Sequence, residues 1–330
     1  MKSTIEEAKS QALLHRSWKQ ALGIYLARLS VLPILISLWI VFALLAPSFG
    51  TLQNFQALMA GSAVIFVTAI GETFVLLTGG IDLSVSTVVA CSAVVAAHTM
   101  GPDGNWITGL LVALGVGLAF GLANGFSVAW LGLTPFVFTL GTNLIARGIA
   151  FTVSEGIAIR VPEALRLLGQ TKWLGLPATA VIAIILLILF QFLLTQTTWG
   201  RYVYLLGANR NTARYVGIRE RIIGGSVYLL TGILGGLAGF LSLANLGAAV
   251  PGIGDTILLS IIGGVILGGT SLFGGEGSIW QTAVGVLLLA TLTNGLNLLG
   301  FDFYDQLVAQ GLVIIVGTAM TVFFWRERRL

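Results

Sequence analysis

The chain has 330 residues, of which 56% are hydrophobic and only 9% charged, with a formal net charge of +4. A soluble domain carries about 25% charged residues, and a body of this size cannot keep so much apolar surface from water. The composition therefore excludes a soluble enzyme and requires lipid as the solvent. The single cysteine, Cys91, leaves no intrachain disulfide to form.

Residues 1–28 are mixed in charge, with Lys2, Lys9, Arg16, Lys19 and Arg28 beside Trp18 and Tyr25. The segment reads as a cytoplasmic helix on the membrane surface. The apolar run from Leu29 lacks a small-x-small cleavage site, so it is expected to stay as the first crossing. A crossing takes roughly 20 residues at about 1.5 Å each. On that scale the apolar runs fall near 29–46, 56–77, 84–100, 107–130, 136–153, 176–196, 224–246, 256–272, 278–299 and 306–325. The expected fold is all-α, a polytopic membrane protein with about ten transmembrane helices. Its membrane domain covers 29–325, and a short cytoplasmic tail covers 326–330. Only Thr78 to Leu83 separates the second run from the third, and Gly263-Gly264 and Gly268-Gly269 interrupt the eighth.

Two connections are long enough to do more than turn the chain. The 154–175 loop is expected outside, in the periplasm, with an amphipathic stretch near Pro162–Leu168 lying on the surface. The 198–223 loop is expected in the cytoplasm. Under that map the inner side holds thirteen of the 17 Lys and Arg residues, among them Arg201, Arg210, Arg214, Arg219 and Arg221. The outer side holds Arg160, Arg166 and Lys172. This is the excess that the positive-inside rule demands, so the termini read as cytoplasmic and the net positive charge needs no nucleic acid to explain it. No hydrophilic domain, low-complexity tract or convincing internal repeat appears, although GGIDLS and GGTSLFGG are alike as glycine-rich breaks.

Catalytic constellations are missing. A phosphate-cradling loop ends in Gly-Lys-Ser/Thr, and none of Lys2, Lys9, Lys19 and Lys172 follows a glycine. His15 and His98 are far apart and outside any zinc-hydrolase spacing, and Cys91 has no histidine near it. No cofactor or metal is expected on this chain.

Ionisable residues inside crossings are costly, which singles out Glu72, Asp82 and Arg147. Asp82 follows a Gly-Gly break and precedes a new apolar helix. Its plain role is to cap that helix; its functional role is to sit where irregular backbone opens onto a translocation path. The two are compatible. Arg147 either snorkels to the interface or pairs with Glu72 or Asp82. Asn124, Asn143, Asn294 and Asn297 suit sugar hydroxyls and equally suit bonding between helices. The path is expected to run past Thr78, Asp82, Asn124, Phe136, Asn294 and Asn297, with Phe136 offering an apolar face.

Several strings, in order over about 50–326, resemble one family. They are Thr73–Ser84 (TFVLLTGGIDLS), Pro135–Thr142 (PFVFTLGT) with Ala146-Arg147-Gly148, and Gly200–Tyr204 (GRYVY). Gly207, Asn209, Ala213, Arg214 and Gly217-Ile218 follow, then Leu267–Gly275 (LGGTSLFGG) and Asn294–Gly300 (NGLNLLG). The family is that of permease subunits in bacterial ABC importers for ribose and related monosaccharides. Departures occur where the family often carries acids, at Ile257–Ile261, and at Ala208 and Val216, and they bear on which sugar is carried.

The resemblance implies a cobalamin-importer-like (type II) permease working with a second permease subunit, a periplasmic sugar-binding protein and a cytoplasmic ATP-binding subunit that holds the ATP and magnesium. It also implies that the 198–223 stretch receives the ATPase's movement, through Arg201, Asn209, Arg210, Ala213, Arg214 and Gly217. Gly207 and Gly217 bracket room for a helix of about two turns, capped by Asn209 or Asn211, with its arginines facing acidic groups of a partner or anionic lipid. The competing expectation is an ion-coupled secondary transporter of a small polar solute, with Glu72 and Asp82 as its only membrane carboxyls.

Overall fold

The computed structural model describes residues 31–326, with side chains placed as far as residue 319. The expected surface segment 1–28 and residues 327–330 of the tail lie outside the described residues. The described residues form thirteen helices. The first five are α1 (Val31–Leu45), α2 (Leu52–Leu77), α3 (Val85–Met100), α4 (Trp106–Ala129) and α5 (Pro135–Ser154). Then come the short α6 (Glu163–Gln170), α7 (Ala178–Gln196), α8 (Thr198–Ala208) and α9 (Arg210–Tyr215). The last four are α10 (Glu220–Leu246), α11 (Ile253–Leu267), α12 (Ile279–Leu298) and α13 (Phe303–Arg326).

α10 runs through the middle, packed on α2, α3 and α4. Its closest neighbour is α4, and the sequence explains why. Gly117, Gly121 and Gly125 recur every fourth residue along one stripe of α4, facing Gly225, Gly232 and Gly236 of α10. A Cβ added at Gly117 would stand 2.2 Å from the Gly232 carbonyl oxygen, and one at Gly232 would stand 2.3 Å from that of Gly117. Small residues at this spacing let backbones touch where lipid supplies no hydrophobic push between helices.

Side-chain bonds define the two ends of the bundle. At one end the start of α2 meets the 154–177 connection. Gln56 donates to the Gly175 carbonyl at 2.7 Å, and Lys172 donates to Gln56 at 2.6 Å. Asn245, near the end of α10, donates to the Ala60 carbonyl at 2.9 Å. Two antiparallel clips of two residues per strand tie this end together: β1 (Ile159–Arg160) with β4 (Ala248–Ala249), and β2 (Lys172–Trp173) with β3 (Leu176–Pro177). α6 lies between them with Leu165 buried, and the Arg166 bond to Glu163 holds that carboxyl below its ordinary pKa. The opposite end carries α8 and α9.

The structure corrects the expected fold class. Among the described residues six helices are long and apolar enough to cross a membrane: α2, α4, α5, α7, α10 and α12. Among the described residues two other apolar helices, α3 and α11, have 16 and 15 residues, and the apolar stretches Val31–Leu45 and Phe303–Ala319 reach the edge of the described side chains. A helix of 16 residues spans about 24 Å, short of a hydrocarbon core near 30 Å. The count of about ten took every apolar run as a crossing, and its eighth run, 256–272, continued through the break at Gly268-Gly269. α3 and α11 are short because glycine-rich turns bound them at Gly79-Gly80 and Gly268-Gly269. What stands is a helical, multi-pass membrane protein; the cobalamin-importer-like arrangement does not.

Candidate functional site

Two helix breaks meet at the α8–α9 end. After α2, the N–H groups of Gly80 and Gly79 bond to the carbonyls of Val75 (3.1 Å) and Leu76 (2.8 Å). After α11, those of Thr270 and Gly269 bond to Val265 (3.2 Å) and Ile266 (2.8 Å) in the same pattern. Each ends the helix by turning one residue left-handed, Gly79 at φ +76° and Gly269 at φ +95°, a conformation that glycine adopts without strain. The breaks also touch. Gly275 donates its N–H to the Leu77 carbonyl at 2.9 Å, and Thr73 and Thr282 share a bond of 2.8 Å.

Beyond the first break, Asp82 sits at the centre of a buried polar knot. Its Oδ1 accepts from the Ser84 N–H (2.9 Å) and hydroxyl (2.6 Å), and its Oδ2 accepts from the Asn124 amide at 3.3 Å. Its own N–H donates to Glu72 Oε1 at 3.1 Å. Asn124 accepts from Thr142 at 2.9 Å, and Asn143 donates to the Leu83 carbonyl at 2.6 Å. Side chains of α2 and α5 thus satisfy the backbone that the break frees, and Asn124 of α4 ties the Asp82 and Ser84 side chains together, as a low-dielectric interior requires. Among the described residues, Glu72 Oε2 and the Tyr228 hydroxyl are buried without a hydrogen-bond partner.

The six residues expected along the path do not form one group. Asp82 and Asn124 are bonded to each other, while buried Thr78 donates to the Val75 carbonyl of its own helix at 2.8 Å. Asn294 exchanges two amide bonds of 2.9 Å with Asn54, tying the end of α12 to the start of α2. Asn297, one turn further along, is exposed. Phe136 is 52% exposed near the start of α5, at the opposite end of the bundle. Arg147 pairs with Asp255 of α11 at 2.8 Å, not with Glu72 or Asp82. Composition and spacing singled out neither Asp255 nor its helix face.

The expected coupling stretch is helical. Asn209 accepts from the Thr212 N–H at 2.9 Å and so caps α9. Gly217 turns the chain at φ +81°, and Arg214 forms an ion pair with Glu220 of α10. Arg201 and Arg210 are exposed. Ala213 is fully buried against the bundle, whereas Tyr215 (91% exposed) and Val216 face outward. The outward apolar contacts of α9 are therefore these two. α8 is locked to both breaks: a Cβ added at Gly207 would lie 1.7 Å from the Leu77 carbonyl oxygen and 2.6 Å from the Gly275 nitrogen. The Tyr204 hydroxyl donates to the Gly277 carbonyl at 2.7 Å.

A multi-pass helical bundle with paired helix breaks and a helical connection seated on both is built to pass something across a membrane rather than to react with it. The chain belongs to the family described as the permease component of the branched-chain amino acid transport system, which matches residues 54–317. It is 37% identical to the D-allose transport system permease protein of Escherichia coli (strain K12), over 85% of this chain and 87% of that one. It is 36% identical to the ribose import permease protein of the same strain, over 82% and 86%, and 32% identical to its L-arabinose transport system permease protein, over 88% and 89%. No solved structure matches the chain.

Proposed function

We propose that this chain is a membrane permease subunit of an ATP-driven importer that carries a monosaccharide inward. The family's description speaks of branched-chain amino acids, but the relatives above are named for allose, ribose and arabinose, and their similarity extends over most of both chains. That favours a sugar. ATP and magnesium belong to a separate cytoplasmic ATP-binding subunit, and a periplasmic sugar-binding protein delivers the cargo. A second permease subunit completes the path within the inner membrane, and lipid covers the remaining apolar faces. The arginine-rich α8–α10 connection faces the cytoplasm, as do both termini, on the charge bias.

The observation that carries the coupling role is the seating of α8 on both breaks, through Gly207 against Leu77 and Gly275. A push on α9 reaches the helix ends at 77–84 and 267–278 without passing through a flexible loop. Asn209, Ala213 and Gly217 shape the α9 element, while Arg201, Arg210, Arg214, Tyr215 and Val216 present its surface to the ATPase. Of the path residues, Phe136 and Asn297 offer free side chains to cargo, and Thr78, Asp82, Asn124 and Asn294 hold the walls.

The test is uptake by the reconstituted importer, with its ATPase and binding protein, in proteoliposomes. Uptake should require internal ATP and survive collapse of ion gradients. Tyr215→Asp should lower sugar-dependent ATP hydrolysis about tenfold, as truncating an interface anchor does, without reducing membrane insertion. Uptake that follows an ion gradient and ignores ATP would establish the secondary-transporter reading instead.

A further inference from the structure

The Arg147–Asp255 ion pair plays no part in the coupling argument, and its setting is unlike the rest of the surface. Among the exposed α5 positions from 136 to 149, Arg147 is the one polar residue; the others are apolar or glycine. Its side chain is 49% exposed and that of Asp255 is 41% exposed. Arg147 lies seven residues before the end of α5, a helix of spanning length, so the pair lies about 10 Å in from that helix end. Charges left open to hydrocarbon at that depth are costly. This face therefore turns to water or to protein.

The pair also leaves binding capacity unused. Its contact joins Arg147 Nη2 to Asp255 Oδ2, and among the described residues neither side chain has a further hydrogen bond. The guanidinium lies over the Phe151 ring, 5.7 Å from its centroid. Beside it, a Cβ at Gly148 would meet nothing within 4 Å. Open guanidinium N–H donors, an open carboxylate oxygen and an aromatic face are the groups a polyol needs. Adjacent hydroxyls donate to the carboxylate and accept from the guanidinium, while C–H groups cover the ring.

We propose that Arg147 and Asp255 form a weak monosaccharide station that reads a pair of adjacent hydroxyls as the sugar passes. The proposal rests on the sugar-import reading and gives it a position. Each charge already has the other as partner, so a hydroxyl adds no more than one charge-assisted hydrogen bond at each, which suits a path that must release its cargo.

The complete importer in proteoliposomes is tested with radiolabelled D-ribose, D-allose and L-arabinose. Arg147→Gln and Asp255→Asn should each lower ATP-driven uptake about tenfold, the loss of one charge-assisted hydrogen bond. ATP hydrolysis stimulated by the binding protein should stay within about twofold of wild type, since the partner contacts are untouched. A cysteine in place of Gly148 should react with a charged methanethiosulfonate, and D-ribose should slow that reaction; native Cys91 is buried. Unchanged uptake in both variants overturns the station. So does full recovery in the Arg147→Asp, Asp255→Arg double variant, which re-forms the pair but moves the guanidinium off Phe151, because the pair would then be a structural brace. A position 148 that the reagent cannot reach means that lipid or a second permease copy covers the pair, and also overturns it. If the wild type carries none of the three sugars, the import reading falls and the station falls with it.

Discussion

α10 and α5 are both apolar helices of spanning length, yet they meet their surroundings in opposite ways. α10 is held among α2, α3 and α4, with backbone carbonyls so near Gly232, Gly236 and Gly239 that no side chain fits there. α5 touches the bundle through one stripe, Thr139, Thr142, Ala146, Ala150 and Ser154, and leaves Phe136, Val137, Leu140, Leu144 and Ile145 open. Hydropathy alone does not separate them. What differs is where the small residues fall. On α10 they form the contact surface, so the helix is a fixed post. On α5, Gly141 and Gly148 face outward, and the inward stripe is polar enough to hold the Asp82 knot together.

That contrast breaks most sharply at the α4–α10 seam. Gly232→Leu drives a side chain into the Gly117 carbonyl and should destabilise the protein by about 3 kcal/mol or more. The expected outcome is little folded protein by size-exclusion chromatography in detergent; a normal yield with an unchanged unfolding temperature would mean that the seam is looser than the structure shows. Asp82→Ala comes next. It leaves the Ser84 N–H and hydroxyl without their acceptor, while the Asn124 amide keeps Ser84 Oγ, at a cost of about 2 kcal/mol. Thermal unfolding should show it, and Asp82→Asn should recover part of the loss because an amide oxygen still accepts. Gly148→Ala should do least to the fold. Its Cβ enters open space, so the helix gains up to about 1 kcal/mol of propensity. A lower unfolding temperature would show that the outer face of α5 is packed after all.

Much of the local structure was legible in single residues. Asn209 caps α9 because a side-chain oxygen two or three residues before a free N–H is a short-range event. Gly79 and Gly269 end their helices for the same kind of reason, since a left-handed turn needs no distant partner. The amphipathic stretch near Pro162–Leu168 became α6 one residue later. Longer-range matters were not legible. Arg147 was expected to snorkel or to find Glu72 or Asp82, the carboxyls read as lying within the membrane, but the fold brings it Asp255 from a helix more than a hundred residues away. Ala213 was expected among the residues that receive the ATPase's movement; its side chain is buried, and a six-residue helix is too short for its periodicity to say which side the bundle covers.

By itself, then, the sequence determined the solvent, the helical class, the breaks and the caps, because each follows from composition or from bonds between near neighbours. The similarity of glycine-rich strings carried it further, to a family. Only the tertiary structure decided how many helices are long enough to cross, which charge Arg147 faces, and that α8 is seated on both breaks at once. Those outcomes depend on which helix surfaces come together. An apolar chain whose helices associate by fit rather than by a hydrophobic push records that choice in packing, not in hydropathy.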